Sequence, residues 1–370
     1  MASTRRGNTR HNGLAQARRN KADEFYTQYT DIEKEINAYL EYNPNVFKDK
    51  TILLPCDDPD WSNFTKYFAQ NFERFGLKKL ISTSYAQEKK PYKTPIQLSL
   101  FEINSPDYDK DKTNSHGKIF TLTREKQKVD INNLKWKYLE GDGDFRSEEV
   151  VRLRNESDFI ITNPMFSLFR EFLAWILEAD KKFLIIGNIN CITYKEVFPL
   201  IKENKIWLGN GMGRWISGFI VPPNYELYGG EARINEKGQR IVATNNCLWL
   251  TNIDHGRRHQ PLQLMTMSDN LRFSSHREII ENGYKKYDNY RAIEVPYSDA
   301  IPSDYEDVMG VPVTFLDKYC PDQFEIIGCS DNGIVADEYK LPHFQRHNEP
   351  YISGNKVYKR LFIKKKETKQ

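Results

Sequence analysis

Residues Asp158–Phe166, with the sequence DFIITNPMF, combine a short apolar run with an Asn-Pro turn. The run Phe159 to Ile161 predicts a buried strand. At the end of such a strand, the Asn163 side chain and the Pro164 carbonyl can accept both hydrogens of an exocyclic amine, and Phe166 can stack on its ring. The pattern therefore predicts a site for a planar amine such as that of adenine, although Asn-Pro turns also end strands in other α/β proteins.

The segments around this stretch alternate between strand-like and helix-like patterns. Strands are predicted at residues 51–54, 80–85 and 183–186, and helices at residues 31–42, 62–75, 147–153 and 168–178. Because alternating strands and helices form parallel sheets covered by helices, we expect an α/β fold. The sheet should be mostly parallel, with helices on both faces.

Composition limits the class of protein. The chain has 370 residues, of which 28% are charged and 13% aromatic, enough for a large α/β domain with a smaller one. It contains neither an apolar run of the ~20 residues that a membrane span needs nor a secretory signal. The five scattered cysteines predict reduced thiols in a cytoplasmic protein. No metal is expected, because the spacing of Cys320, Cys329, His343 and His347 does not fit a zinc finger.

Positive charge is concentrated at the two ends of the chain. The whole chain has a formal net charge of +3. Residues 1–22 carry six basic residues and no acid, so the rest of the chain has a net charge of 3 − 6 = −3. This segment also lacks an apolar period and is predicted to be a disordered tail. Basic tails favour a polyanionic partner such as DNA, although they also serve simply to keep a protein in solution.

Two further segments place carboxylates near predicted strand ends. Cys56, Asp57 and Asp58 follow the first strand, where the ligand crevice of an open parallel sheet lies. These carboxylates can bind an ammonium group or ribose hydroxyls, or alternatively cap the next helix. Asp142 and Asp144, within GDGDF, can reach the amine of a bound adenine or form an ordinary Gly-Asp turn.

Four segments together resemble the EcoRI-type adenine-specific DNA methyltransferases. They are DEFYTQY at 23–29, CDDP at 56–59 with SNF at 62–64, TNPMFSLF at 162–169 and PVTFLDKY at 312–319. They occur in that family's order and span most of the chain. Asp57 and Asp58 stand where many nucleotide-binding folds have a glycine-rich turn, as they do in this family, whereas Met165 replaces a second proline.

This resemblance implies a fold, a reaction and a set of site residues. The fold is that of S-adenosylmethionine-dependent (Rossmann-like) methyltransferases, with a catalytic domain at 23–254 and a target-recognition region at 255–370. The implied reaction is site-specific N6-methylation of an extruded DNA adenine, of restriction-modification type. Asn163, Pro164 and Phe166 would be catalytic. The implied cofactor-binding residues are Phe25, Tyr26, Thr27, Cys56, Asp57, Asp58, Asp142 and Asp144.

The expected partner is double-stranded DNA, whose adenine must leave the base stack to be methylated. No membrane partner is expected, and the oligomeric state is open, a monomer being compatible with the sequence. Two alternatives remain at this level. The chain could be a DNA-binding protein with a disabled methyltransferase fold, which would not bind the methyl donor. It could also methylate a planar amine in RNA or in a protein.

Overall fold

A computed structural model describes residues 26–86, 108–125, 134–212, 216–221, 232–236, 238–243, 246–331 and 348–366. The chain divides into two compact units, Met1–Asn188 with Gly211–Ile253 and Ile189–Asn210 with Asp254–Gln370. Residues 189–210 thus belong to the second unit. The basic tail and Phe25 lie outside the described residues. No described helix is long and apolar enough to cross a membrane.

The strands of the described residues are numbered in chain order. They are β1 (Tyr26–Thr27), β2 (Thr51–Leu54), β3 (Lys79–Thr83), β4 (Lys118–Thr123), β5 (Trp136–Tyr138), β6 (Phe159–Thr162), β7 (Lys182–Asn188), β8 (Trp207–Met212), β9 (Phe219–Val221), β10 (Ala232–Ile234), β11 (Arg240–Val242), β12 (Cys247–Thr251), β13 (Ile293–Glu294), β14 (Met309–Pro312), β15 (Phe324–Cys329), β16 (Tyr351–Ile352), β17 (Asn355–Lys356) and β18 (Arg360–Lys365).

The α-helices follow the same convention. They are α1 (Tyr29–Tyr42), α2 (Asn63–Gln70), α3 (Lys112–Ser115), α4 (Glu148–Glu156), α5 (Phe169–Glu178), α6 (Phe198–Lys202), α7 (Met267–Phe273) and α8 (Arg277–Asn282). Short 3-10 turns occur between them, among them Phe166–Leu168, which leads into α5.

The first unit is built on a large mixed sheet. Its strands lie in the order β5-β4-β3-β2-β6-β7-β12, and an eighth strand, β8, contains the boundary between the two units. The four central strands β3, β2, β6 and β7 are parallel to one another. Strand β4 pairs antiparallel with β3, β5 with β4, and β12 with β7. The predicted α/β class is confirmed, but the sheet is parallel only at its centre. The prediction of a mostly parallel sheet is therefore corrected to a mixed one, with the antiparallel strands outside that centre.

The buried strands explain why this centre is parallel. All four residues of β2 and all four of β6 are buried. Strands that are covered on both faces consist of continuous apolar runs, and parallel pairing places the crossover helices over those faces. Leu53 pairs with Ile81 on one side and with Ile160 on the other. The helix after β2 supplies Phe64 and Phe68 to the same core.

A smaller antiparallel sheet in the first unit has the order β1-β9-β11-β10. Thr27 in β1 pairs with Phe219 in β9. Gly218, just before β9, has a φ of +131°, and a Cβ there would come within 2.9 Å of the Val242 carbonyl oxygen. Only glycine allows this close approach of the two backbones.

The second unit contains a four-stranded sheet in the order β13-β14-β18-β15. Its core includes Val308 and Phe362, which are fully buried. Arg360 donates to both oxygens of Glu294, at 2.6 Å from Nη2 to Oε1 and 3.1 Å from Nε to Oε2. This ion pair is nearly buried and joins β18 to β13, so both charges are compensated inside the unit.

Candidate active site

The first unit has a topological switch between β2 and β6. The chain passes from β2 to β3 on one side and later crosses to β6 on the other side of β2. Since these strands are parallel, the loops after β2 and β6 leave the same edge of the sheet and diverge there. Ligands of open α/β sheets bind in the crevice that such a switch creates.

Asp57 joins the two sides of this crevice. Its side chain is 5% exposed. Its carboxylate accepts from the Ser62 hydroxyl at 2.6 Å and from the Thr162 hydroxyl at 2.5 Å. The carboxylate therefore fixes the loop after β2 to the last residue of β6. Asn163, the first residue of the predicted amine site, follows directly.

Burial changes the proton affinity of Asp57 and of its neighbour. Desolvation, with a smaller contribution from the charge of Asp58, raises the pKa of Asp57 to about 7 against the opposing effect of the two hydroxyl bonds. Burial also raises the pKa of the Cys56 thiol, with a smaller contribution from Asp57. Asp57 thus stabilises the crevice from inside through its hydrogen bonds, and the Cys56 thiol is neutral and lies beside it in the chain.

Asp58 is the more accessible carboxylate of the pair. It is half-buried, and its Oδ1 accepts from the Asp60 backbone N–H at 2.9 Å. Its carbonyl accepts from the Ser62 backbone N–H at 2.8 Å, which closes the turn before α2. Ser62 caps that helix by accepting from the Phe64 backbone N–H at 3.0 Å. Asp58 is therefore held rigidly at the mouth of the crevice.

The Asp142 loop reaches the end of β3 through close backbone contacts. Gly143 has a φ of +79°, and a Cβ there would lie 2.1 Å from the Ser84 carbonyl oxygen. A Cβ on Gly117 would lie 2.3 Å from the same oxygen. The Asp142 carbonyl accepts from the Ala86 N–H at 2.7 Å. Two glycines thus allow the loop to lie against β3, which puts the half-buried Asp142 beside the crevice.

Asp144 has a local partner. Its carboxylate accepts from Arg146 Nη2 at 2.7 Å and from Nε at 2.9 Å. The hydrogen bonds from Arg146 lower the pKa of Asp144, so this carboxylate is ionised and paired. A role for Asp144 in donor binding stays a prediction, and Asp142 is the better placed of the two.

The segment before α1 approaches the same crevice. The Thr27 carbonyl accepts from Asn63 Nδ2, at the start of α2, at 2.8 Å. This bond places Tyr26 and Thr27 next to the turn that carries Asp58. The predicted residues Tyr26, Thr27, Cys56, Asp57, Asp58 and Asp142 are therefore grouped around the carboxyl ends of β2 and β3.

The predicted amine site follows β6. Met165 has a φ of −58° and a ψ of 123°, a backbone conformation that proline also adopts. The methionine thus preserves the local conformation that the family's second proline would fix. Phe166 is half-buried and packs against the core. Packing on the core fixes the position of this ring, two residues after Pro164 in the chain.

Sequence reasoning missed two residues of this arrangement. Ser62 and Thr162 supply the hydroxyl groups that hold Asp57, but serine and threonine are common at helix starts and strand ends. Thr162 lies 105 positions from Asp57 in the chain. Only the pairing of β2 with β6 brings them together.

In the second unit, the basic residues at 255–259 are neutralised within the unit. Arg257 donates to Asp317 at 2.6 Å. Arg258 lies over the Trp207 ring at 3.6 Å and pairs with Asp254 at 3.2 Å. Asp317 belongs to the PVTFLDKY segment, so one function of that segment is to hold the 255–259 turn.

Comparison with known proteins identifies the family of this chain. A sequence model of the family described as "Adenine-specific methyltransferase EcoRI" matches residues 13–366. The chain belongs to this family. It is 46% identical to the Type II methyltransferase M.EcoRI of Escherichia coli, over 95% of this chain and 96% of that protein. It is 32% identical to the Type II methyltransferase M.MpnI of Mycoplasma pneumoniae, over 95% and 97% of the two chains. A search of solved structures found no significant match.

Membership of the family confirms the predicted class of enzyme and its cofactor, S-adenosylmethionine. The crevice fits this molecule, which presents ribose hydroxyls, a sulfonium and an ammonium group, and therefore needs hydrogen-bond acceptors and negative charge. Asp58 and Asp142 offer half-buried carboxylates there. The hydroxyl oxygen of Thr27 is buried and has no hydrogen-bond partner among the described residues.

Proposed function

We propose that this chain methylates N6 of an adenine within a short duplex DNA site, as the modification enzyme of a restriction-modification system. One observation carries the proposal: the Asp57–Thr162 hydrogen bond at 2.5 Å, which links the loop after β2, proposed to bind the donor, to the end of β6, proposed to precede the amine site. The names of the relatives as Type II methyltransferases support the same function. A cytoplasmic location fits an enzyme acting on cellular DNA.

Donor binding is assigned to residues at the ends of β2 and β3, in a Rossmann-like arrangement. Asp58 and Asp142 accept hydrogen bonds from the donor, and Asp57 holds the loop on which Asp58 stands. The remaining proposed contacts are Phe25, Tyr26, Thr27, Cys56 and Asp144. When bound, S-adenosylmethionine supplies a methyl group activated by its sulfonium sulfur.

Acceptor binding is assigned to Asn163, Pro164 and Phe166. The Asn163 side-chain oxygen and the Pro164 carbonyl accept the two N6 hydrogens, and Phe166 stacks on the extruded ring. Adenine's amine is a poor nucleophile because its lone pair is delocalised into the ring. Two acceptors arranged for a pyramidal nitrogen favour the attacking geometry over the planar ground state. A strong base is not required, since positioning supplies much of the rate increase.

The two ends of the chain are assigned to DNA binding. The region 255–370 would read the target site, while residues 1–22 would follow the phosphate backbone with their six basic side chains. The region 23–254 would form the catalytic domain.

The test uses the purified protein, a tritiated methyl donor and a panel of DNA duplexes. Label should appear as N6-methyladenine in duplexes that contain one short site. Label in cytosine, or only in RNA or protein, would refute the proposal.

Asn163→Ala should lower methyl transfer by more than about tenfold, equivalent to ~1.4 kcal/mol of barrier. Its affinity for the donor should stay within about twofold of wild type, because Asn163 is assigned to the acceptor. Asn45→Ala is the matched control, since Asn45 is exposed and precedes the opposite, amino end of β2. Full activity of Asn163→Ala would remove this residue from the mechanism.

A further inference from the structure

Two buried polar atoms near the start of α1 have no hydrogen-bond partner among the described residues. Thr27 is 3% exposed and Asp31 is 1% exposed. No hydrogen-bond donor among the described residues reaches Thr27 Oγ1 or Asp31 Oδ1. Nearly all buried polar groups in folded proteins are hydrogen-bonded, so two orphaned acceptors four positions apart require an explanation.

Asp31 is rigidly held through its other oxygen. Asp31 Oδ2 accepts from the Ser217 backbone N–H at 2.8 Å and from the Ser217 hydroxyl at 2.9 Å. Gln28 Nε2 donates to that hydroxyl oxygen at 2.5 Å and to the Gly218 carbonyl at 3.0 Å. The structure thus fixes the direction of Oδ1, for which the described part of the chain provides no hydrogen-bond donor.

Burial makes the ionised form of the Asp31 carboxyl group less favourable. Desolvation raises the pKa of Asp31, although the Ser217 bonds and the charges of Lys34 and Arg233 oppose the shift. A cation placed against Oδ1 would compensate the buried charge.

Helix α1 runs from the carboxyl edge of the sheet towards its amino edge. Asp31, Glu35 and Tyr39 form a buried polar stripe at spacings of four, in which the Tyr39 hydroxyl donates to Glu35 at 2.8 Å. Tyr39 also bonds Thr251, which pairs with Leu184 near the amino end of β7. Asp31 lies eight residues earlier, about 12 Å along the helix.

The start of α1 is tied to the carboxyl edge of the sheet. The bond from Asn63 to the Thr27 carbonyl fixes it there, next to the turn that carries Asp58. Asp31 is in the first turn of α1, so Oδ1 and the Thr27 hydroxyl both belong to the end of the helix that borders the donor crevice.

We propose that Asp31 Oδ1, together with Thr27 Oγ1, binds the α-ammonium group of the methyl donor. The inference rests on the proposed function, because it concerns the same crevice. An ammonium group carries three N–H donors and a positive charge. It satisfies both orphaned acceptors at once, and one of the bonds is charge-assisted on both sides. Asp31 is thus a recognition residue for the amino-acid part of the donor, in addition to Asp58 and Asp142, which are proposed to accept other hydrogen bonds from it.

The test compares two ligands by calorimetry. S-adenosylhomocysteine keeps the ammonium group, whereas 5′-methylthioadenosine lacks the whole amino-acid chain. Asp31→Asn removes the charge with little change in shape. The variant should bind S-adenosylhomocysteine about tenfold more weakly or worse, whereas its affinity for methylthioadenosine should stay within about twofold of wild type. Glu33→Gln is the matched control, because it removes an exposed charge from the same helix and should change neither affinity.

A second variant keeps the inference testable if Asp31→Asn folds poorly. Thr27→Val is isosteric and removes only the orphaned hydroxyl. It should weaken S-adenosylhomocysteine several-fold, while the melting temperature of the free protein is unchanged or higher, because an unpaired buried group is lost. Equal weakening of both ligands by either variant would show a merely structural role, and unchanged affinity for both would overturn the assignment.

These outcomes are distinct from failure of the proposed function. If the wild type binds S-adenosylhomocysteine with the predicted dependence on Asp31 but never labels adenine, the proposed function fails and the ammonium site stands. If adenine is labelled and Asp31→Asn binds both ligands normally, the proposed function stands and the ammonium site fails.

Discussion

Replacing Asp57 by asparagine should remove the pH dependence of stability that this carboxylate causes. Burial raises the pKa of Asp57 to about 7 in the folded protein. The same side chain in the unfolded chain titrates near pH ~4. Between these values the folded state holds a proton that the unfolded state has released, so the free energy of unfolding falls as pH rises. The contribution of this proton to the free energy of unfolding is fully present below about pH 4 and is lost as the pH rises through about 7.

The magnitude follows from the separation of the two pKa values. About three pKa units at about 1.4 kcal/mol each give about 4 kcal/mol, of which roughly 2–3 kcal/mol is lost between about pH 5 and pH 7. This loss is large against the typical stability of a protein, about 5–15 kcal/mol. The asparagine side chain does not titrate, yet its amide can accept from one hydroxyl and donate to the other. Between about pH 5 and pH 7, the free energy of unfolding of the variant should therefore rise relative to that of the wild type by roughly 2–3 kcal/mol.

Urea denaturation of both proteins between about pH 5 and pH 8 measures this difference directly. Other titrating groups are common to both proteins and cancel. Thr162→Val serves as a second variant with an effect in the opposite direction. It removes a hydroxyl whose hydrogen bond lowers the pKa of Asp57. The fall in the free energy of unfolding should therefore continue to higher pH than in the wild type. Parallel pH profiles for wild type and Asp57→Asn would refute the reasoning, since they would mean that Asp57 is ionised throughout.

Three further changes test the site and the basic tail. Asp58→Ala should weaken S-adenosylmethionine by about tenfold or more in calorimetry, through loss of a charged hydrogen bond; normal binding would place the donor elsewhere. Phe166→Ala should reduce the fluorescence gain of a 2-aminopurine target, because stacking on an extruded base contributes ~1–3 kcal/mol; an unchanged gain would assign stacking to another aromatic. Deleting residues 2–21 should flatten the slope of log affinity against log salt by about 2–3 units if half of the tail charges contact phosphates. Discrimination between cognate and mismatched sites should persist, and a retained slope would exclude the tail from DNA binding.

Much of the local structure around the site is readable in the sequence. The apolar residues of β2 and β6 predict strands at the right places, because a continuous apolar run is stable as a strand only when both faces are covered. The Asn-Pro turn after β6 and the acidic turn after β2 are also local features. The four segments shared with the adenine-specific methyltransferases identify the family correctly.

Only the tertiary structure decides which strand ends become neighbours and what each side chain meets there. Asp57 and Asp58 are chemically identical in the sequence, yet the pairing of β2 with β6 buries Asp57 against Thr162 and leaves Asp58 at the mouth of the crevice. The sequence of α1 does not show that Asp31 is held by Ser217, which lies 186 positions later in the chain. Strand and turn preferences act over a few residues, whereas burial and hydrogen-bond partners depend on contacts with distant parts of the chain, and those contacts set the chemistry of the site.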